Sequence, residues 1–337
     1  MKYEIVEGNL GSADTEIVGL WNAAIGVSFP IDIRLYRQQT SQQAAPSILF
    51  IARNRNTSQD DAAPLGAVMA KVQPANAGSG AKTIREAGRG YLSFIIIARN
   101  QRCCGIGGAL LARAESWCRS HGAASISLGS DYLHFFPGLP IDDSSDSKMT
   151  RSFFEKRGYV KGNIEHDLVA DLCDIDLGTS AEASFAAPGY RFSLCSDELR
   201  ADALDFLLKT FPGRWYREIA ESFEAGMRGS DLTLALREKD GQPVGFARIC
   251  GEESACLSPG LFWRGLLGDH PGALGPIGIA PFCRRQGLGL ALLRSSLISL
   301  KSRGTRRVVI DWTDQTGFYG RMGFSPWKTY LGMTKRF

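Results

Sequence analysis

The sequence predicts an α/β (α+β) fold made of two similar half-chains, and three observations predict it. A short R-x-x-G-x-G loop occurs twice, as Arg102-Cys103-Cys104-Gly105-Ile106-Gly107 and as Arg284-Arg285-Gln286-Gly287-Leu288-Gly289, 182 positions apart. Each copy follows an apolar run of strand character and opens an amphipathic helical pattern. The chain has 337 residues, more than one core usually holds, so length also points to about two domains.

In the first half, residues 47–52 and 65–72 read as strands, and 91–98 is the strand before the loop. The helix over 105–120 puts Leu110, Ala114, Trp117 and Cys118 on one stripe, and Gly122 closes it. A strand at 126–128, a helix at 147–156 and closing strands over 159–172 follow. Two polar stretches, 38–46 and 74–90, are expected to be mobile loops. The segment 174–189, acidic and then rich in Ala, Ser, Gly and Pro, marks the junction, which sets domains at 1–178 and 187–337.

The second half repeats the order. A polar start at 196–198 caps a helix near 200–210 with Ala203, Leu204, Phe206 and Leu207 apolar, and another helix spans 214–228. Strands at 232–236 and 244–249 are joined by the turn Lys239-Asp240-Gly241 and are therefore antiparallel. A longer strand, 273–280, leads through the loop to a helix at 287–302 with Leu290, Leu293, Leu297 and Leu300 on one face, stopped by Gly304. A strand at 307–312, a short helix at 315–322 and final strands over 324–333 complete it.

Composition narrows the function classes. A hydrophobic content of 44% and a charged content of 22% are those of an ordinary globular protein. A net charge of +4 suits an anionic ligand but is too small to point to nucleic acid. Apolar runs such as 94–98 fall far short of a membrane span, and the N-terminus lacks the apolar core of a signal peptide, so no membrane partner is expected. The expected compartment is the cytoplasm, with the nucleus open in a eukaryotic cell. The eight cysteines form no C-x-x-C pair and no zinc spacing with the four scattered histidines, so no metal is expected and the thiols read as reduced.

The loop itself carries chemistry. A glycine pair opening a helix lets backbone N–H groups face a ligand, and the helix N-terminus adds partial positive charge, which together cradle a pyrophosphate. The arginine would add a cation at the rim. A P-loop is excluded because neither copy carries Lys-Ser or Lys-Thr after a second glycine. A dinucleotide fingerprint is excluded because Leu110 and Leu292 stand where its third glycine belongs.

R-x-x-G-x-G between a strand and a helix resembles the cofactor motif of the GCN5-related N-acetyltransferases (GNAT family). A second motif of that family, F-Y-x-x-x-G-F, is matched by Phe318-Tyr319-Gly320-Arg321-Met322-Gly323-Phe324. The resemblance covers almost the whole chain. It implies two tandem GNAT domains, each a mixed, mostly antiparallel twisted sheet flanked by helices. It also implies acetyl-CoA as co-substrate, with its pyrophosphate on Arg284 to Gly289 and its pantetheine arm beside Ile277, Gly278, Ile279 and Ala280 of the preceding strand. Phe318 would border the same ligand. Arg102 to Gly107 would be the corresponding contacts of the first copy. Transfer would be direct, through a tetrahedral intermediate and without an acyl-enzyme.

The two copies differ where the chemistry belongs. In the family the tyrosine usually protonates the departing thiolate, and Tyr319 occupies that place. Its counterpart in Phe153-Phe154-Glu155-Lys156-Arg157-Gly158-Tyr159 is Phe154, which has no proton to give. The first domain is therefore expected to be catalytically impaired and the second catalytic. Gly287 precedes Tyr319 by 32 positions but Gly105 precedes Phe154 by 49, so the first copy carries an insertion around 132–147, expected to wall a pocket or contact a neighbouring domain.

An attacking alkylamine must first lose a proton. Many family members carry a glutamate for this on the strand before the loop, but neither 91–98 nor 273–280 contains an acid. Asp311, Asp269 and His270 remain as alternatives.

For the acceptor, the chain looks most like glucosamine N-acetyltransferases and the acetyltransferase part of fungal N-acetylglucosamine-sensing proteins. The resemblance rests on His134-Phe135-Phe136-Pro137-Gly138-Leu139-Pro140, Gly275-Pro276-Ile277-Gly278-Ile279, and Ile310-Asp311-Trp312-Thr313. It implies an amino sugar as the small-molecule partner, with Trp215, Tyr216, Trp263 and Trp312 as possible stacking faces. A protein lysine, as in histone acetyltransferases, and a non-catalytic CoA or sugar sensor are the competing readings.

Overall fold

A computed structural model describes residues 3–40, 46–55, 63–73 and 88–337. The expected mobile loops fall outside the described residues at 41–45 and 74–87. In chain order the elements are β1 (Tyr3–Gly8), α1 (Asp14–Ile25), α2 (Ile33–Thr40), β2 (Ser47–Asn54), β3 (Gly66–Gln73), β4 (Arg89–Ile97), α3 (Ile106–Ser120), β5 (Ser125–Leu128), β6 (Leu139–Pro140), α4 (Ser145–Glu155) and β7 (Val160–Asp171). Then come α5 (Ser180–Phe185), β8 (Tyr190–Leu194), α6 (Asp197–Thr210), α7 (Arg214–Glu224), β9 (Leu232–Arg237), β10 (Pro243–Gly251), β11 (Gly272–Ile279), α8 (Leu288–Ser302), β12 (Arg307–Thr313), α9 (Thr316–Gly320) and β13 (Ser325–Arg336).

The chain forms two compact units, one of Met1–Glu165 with Lys328–Phe337 and one of His166–Trp327. In the first, β1 to β4 are antiparallel, β4 and β5 are parallel, and β5 pairs antiparallel with β13 at Ser125↔Arg336 to Ser127↔Thr334. Helix α3 buries Ile106, Leu110, Leu111, Ala114 and Cys118 against Phe50, Val68, Leu92 and Ile126. That stripe is the 3.6-residue pattern read from the sequence.

The second unit repeats this. β8 to β11 are antiparallel, β11 and β12 are parallel, and β12 pairs antiparallel with β7 from Arg307↔Asp171 onward. The parallel registers correspond, Gly90↔Ile126 in one unit and Gly272↔Val308 in the other. Helix α8 buries one long face that includes Leu288, Leu292, Leu293, Leu297 and Leu300.

The compact units depart from the continuous stretches 1–178 and 187–337. β7 follows α4 in sequence, yet Leu168, Ala170 and Leu172 are buried in the second core beside Leu274, Val308 and Ile310. β13 follows α9, yet Leu331 and Met333 are buried in the first core beside Ile126 and Leu128. The closing strands are exchanged. Each buried Leu or Met is worth roughly 1.5–3 kcal/mol, enough to fix which sheet a strand joins. Sequence pattern could not choose between two equivalent places.

Candidate active site

The two loops are the same object in backbone terms. In the second unit a single turn at Pro281–Cys283 is followed by extended Arg284 (φ −74°, ψ 162°), and Gly287 starts α8 at φ 80°, ψ −13°. In the first, the turn Arg99–Gln101 is followed by Arg102 (φ −68°, ψ 156°), and Gly105 starts α3 at φ 84°, ψ −13°. Cys103 and Arg285, at corresponding places, also have positive φ, 61° and 63°. Any residue with a Cβ would be strained at Gly105 and Gly287, which is why both copies keep glycine there.

This geometry leaves the backbone N–H groups of Arg285, Gln286, Gly287, Leu288 and Gly289 with no partner among the described residues. The same holds for Cys103 to Gly107. A run of free donors at a helix N-terminus is what an anionic pyrophosphate requires. The loop arginines also make contacts within the protein. Arg284 Nε donates to the carbonyl of Ile279 at 3.1 Å and so ties the loop to the end of β11. Arg102 pairs with Asp146 at 2.8 Å. Phe318 lies over the loop glycine, 3.7 Å from where a Cβ on Gly289 would stand, as Phe153 does at Gly107.

Beside the loop, β11 is paired along one edge, with Gly245↔Ile279, Phe246↔Gly278 and Ala247↔Ile277. Its other edge meets β12 only at Gly272 and Ala273, so it is open from Leu274 to Ile279. Ile277, Gly278 and Ile279 can thus accept an extended ligand as an added strand, and Ala280 continues into the turn with its N–H on Val244. Gly278 has no spare room on its other face, where a Cβ would come within 2.8 Å of Phe211 and 2.9 Å of Phe246.

Asp311 stands where the two parallel strands part. A Cβ on Gly275 would lie 3.3 Å from its Oδ1. Burial, and then the carboxylates of Asp167 and Glu218, push the Asp311 carboxyl up to about 7, with Arg214 opposing them. Glu218 is in turn paired with buried Arg248 at 3.0 Å. Tyr319 is buried, and burial together with the Asp311 charge raises its phenol well above the ordinary range, so it stays protonated. Its hydroxyl makes no hydrogen bond among the described residues. A protonated phenol and a carboxyl poised near neutrality, close enough for the charge of one to act on the other, can give and take a proton.

Arg214 stacks over Trp312, 4.5 Å from the ring centre, and the Trp312 N–H donates to Asp167 Oδ1 at 3.1 Å. Trp215 is half-exposed against Phe211 and Phe246. Trp263 is buried, and Tyr216 packs on the core, so neither is a stacking face.

The structure does not bring Asp269 and His270 to this cluster. Both are exposed ahead of β11. The His270 carbonyl accepts from the N–H of Arg306, and Arg306 is five residues, about 16 Å of extended chain, from Asp311. Asp167, Glu218 and Arg214 were missed by sequence reasoning. Asp167 is 144 positions from Asp311 and sits on a strand that reads as part of the first repeat, so no local pattern could have found it.

In the first unit the corresponding place is filled. The register that aligns β5 with β12 puts Gly129 at the position of Asp311, and Ser130 (φ 62°) at that of Trp312 (φ 44°). The insertion turns into its own unit's core. Asp131 accepts from Lys71 at 2.6 Å and from Ser93 at 3.1 Å, all three buried. Phe135 and Phe136 pack on Trp21 at 4.9 and 5.5 Å.

No cluster of three or more His, Cys, Asp or Glu able to hold a metal occurs among the described residues, and none of their helices is long and apolar enough to cross a membrane. No curated protein matches the sequence. Solved structures do. A glucosamine N-acetyltransferase region in a fungal multi-domain GH3 β-N-acetylglucosaminidase superposes with a TM-score of 0.84 at 22% identity over 99% of this chain. This chain spans only 38% of that one. A GCN5-related N-acetyltransferase from Sphaerobacter thermophilus gives 0.66 at 18% identity, covering 99% of this chain and 95% of its own. A tandem GNAT protein of the clavulanic acid biosynthesis pathway gives 0.67 at 15% identity, covering 99% and 98%. At these identities the likeness is one of fold. The Acetyltransferase (GNAT) family itself matches residues 21–134 and 198–324, most of both units, and the chain therefore belongs to that family, as two GNAT domains in tandem.

Proposed function

We propose that the second unit transfers the acetyl group of acetyl-CoA to the primary amine of an amino sugar such as glucosamine. The observation that carries this reading is Asp311, placed where β11 leaves β12 and acting electrostatically on the protonated Tyr319, with β11 leading into a loop of unpartnered N–H groups.

Each residue then has a role. The N–H groups of Arg285 to Gly289 hold the pyrophosphate, and the open edge of β11 holds the arm and offers an N–H to the thioester carbonyl oxygen. Asp311 takes a proton from the substrate ammonium. The freed amine forms the new C–N bond, the C–S bond breaks, Tyr319 gives its proton to the leaving thiolate, and the second proton shed by the nitrogen returns to the phenolate. Asp167, Glu218 and Asp311 favour a cationic acceptor, and the exposed Trp215 ring offers a face to a sugar. The fold shared with the fungal glucosamine N-acetyltransferase region supports the same acceptor class. The first unit, with Phe154, Gly129 and a filled pocket, is assigned no transfer step.

Thiol release from acetyl-CoA with glucosamine, run beside a histone-tail peptide, tests the reading. Turnover with glucosamine is expected, and turnover with the peptide alone would overturn the amino-sugar assignment.

A further inference from the structure

We infer that Asp167 is a positioning residue for the transfer: its carboxylate clamps the kinked backbone that follows Asp311 and thereby fixes where the Asp311 carboxyl points. The inference rests on the reading of Asp311 as the base.

Along β7 and β12 the register runs Ile310↔Leu168 and then Thr313↔His166, so Asp311 and Trp312 stand opposite the single residue Asp167. This is a β-bulge, a device that redirects a side chain out of the regular pleat. It places Trp312 at φ 44°, a conformation unfavourable for a bulky side chain and kept only where the surroundings enforce it. The enforcing contact is the hydrogen bond from the Trp312 N–H to Asp167 Oδ1. Asp167 is itself 3% exposed and so has little freedom to yield.

The first unit makes the same kink at Ser130 but holds it with the neutral carbonyl of Phe136, at 2.9 Å. A backbone carbonyl therefore suffices to hold the geometry. The second unit uses a carboxylate, and the added charge acts on Asp311. The charged and titratable groups facing Asp311 are Asp167 from β7, Glu218 and Arg214 from α7, and Tyr319 from α9. Asp167 thus holds the base in place and raises its hold on a proton.

The two effects separate by substitution. Asp167→Asn keeps an oxygen for the Trp312 N–H and removes the charge, whereas Asp167→Ala removes both. The Asp311 carboxyl can be followed by carbon NMR in aspartate-labelled protein, with Asp311→Asn assigning its signal. In Asp167→Asn this carboxyl should titrate about one pH unit lower than in the unsubstituted protein. Turnover in Asp167→Ala should fall at least about tenfold below that of Asp167→Asn, and the near-ultraviolet signal of Trp312 should weaken only in Asp167→Ala. An unmoved titration in Asp167→Asn, or equal turnover and Trp312 signal in the two variants, would overturn the inference. If no amine is turned over by the unsubstituted protein, the functional reading fails alone, because titration and Trp312 signal still decide the role of Asp167.

Discussion

Up to Ala98 and Ala280 the described strands of the two units pair in the same order, and through the loops their backbones agree to within a few degrees at the residue that opens each helix. They part company just past the strand after that helix. There one unit has Gly129, an inward-folded insertion and Phe154, while the other has Asp311, a bulge held by Asp167, and Tyr319. On the proposed function, holding a pyrophosphate and moving an acyl group would be separable properties of this fold. The first depends on backbone shape, which glycine positions preserve. The second depends on a few side chains at one gap, which substitution and a 17-residue insertion can erase without disturbing the frame.

The sharpest way to break the comparison is at the loops. Gly287→Glu puts a strained, negatively charged residue among the free N–H groups, and turnover should drop by roughly three orders of magnitude. Gly105→Glu should leave kcat/KM within about threefold. Equal losses in steady-state assays would mean that the first loop takes part in turnover. Next in size is Tyr319→Phe, expected to lower kcat by about a hundredfold or more, with Phe154→Tyr in the first unit restoring nothing to that variant. Unchanged kcat in Tyr319→Phe would remove the phenol from the mechanism.

Asp311 gives the pH dependence. Its carboxyl is raised to about 7, so the ionised, proton-accepting form and the rate should grow as pH rises through that value. Asp311→Asn should flatten this limb and cost about a hundredfold at its top. Stability runs the other way. A carboxyl raised by folding favours the protonated folded form, a contribution present at acid pH and lost as pH climbs through 7. Melting curves should therefore show Asp311→Asn gaining on the unsubstituted chain above pH 7 and not at pH 4.

The smallest effect on catalysis is expected in the filled pocket. Lys71→Met removes the buried ammonium that faces the Asp131 carboxylate and should cost about 3–5 kcal/mol of stability, seen by denaturant unfolding, while Lys71→Met with Asp131→Leu should recover most of it. Turnover of the folded protein should change little in the double variant.

Much of this was legible in the sequence because it is local. The loop, its strand and its helix are contiguous, and glycine spacing plus a 3.6-residue stripe is enough to read them. Tyr319 against Phe154 was likewise visible as one letter in a short motif. Helices α1 and α2 and strands β1 and β8 were not read; α2 is mostly polar around its buried Leu35 and Tyr36, and no capping side chain marks the start of α1. What surrounds Asp311 was illegible for a stronger reason. Asp167, Glu218 and Arg214 come from elements brought together by strand pairing and helix packing, which no local pattern encodes. The contact of Arg284 with the backbone of the preceding strand was not legible for a related reason.

The exchange of β7 and β13 makes the end of the chain part of its beginning. During synthesis β5 keeps an unsatisfied edge until β13 has been made, so the first unit is completed only after the residues of the second have been added. A premature stop before Lys328 would damage the unit whose other strands lie between Tyr3 and Leu128. A split of the chain within 174–189 would give two fragments, each carrying the strand that the other fragment's sheet lacks. For this protein a domain is a unit of packing and not of sequence, and neither half can be inherited, expressed or evolved alone without borrowing from the other.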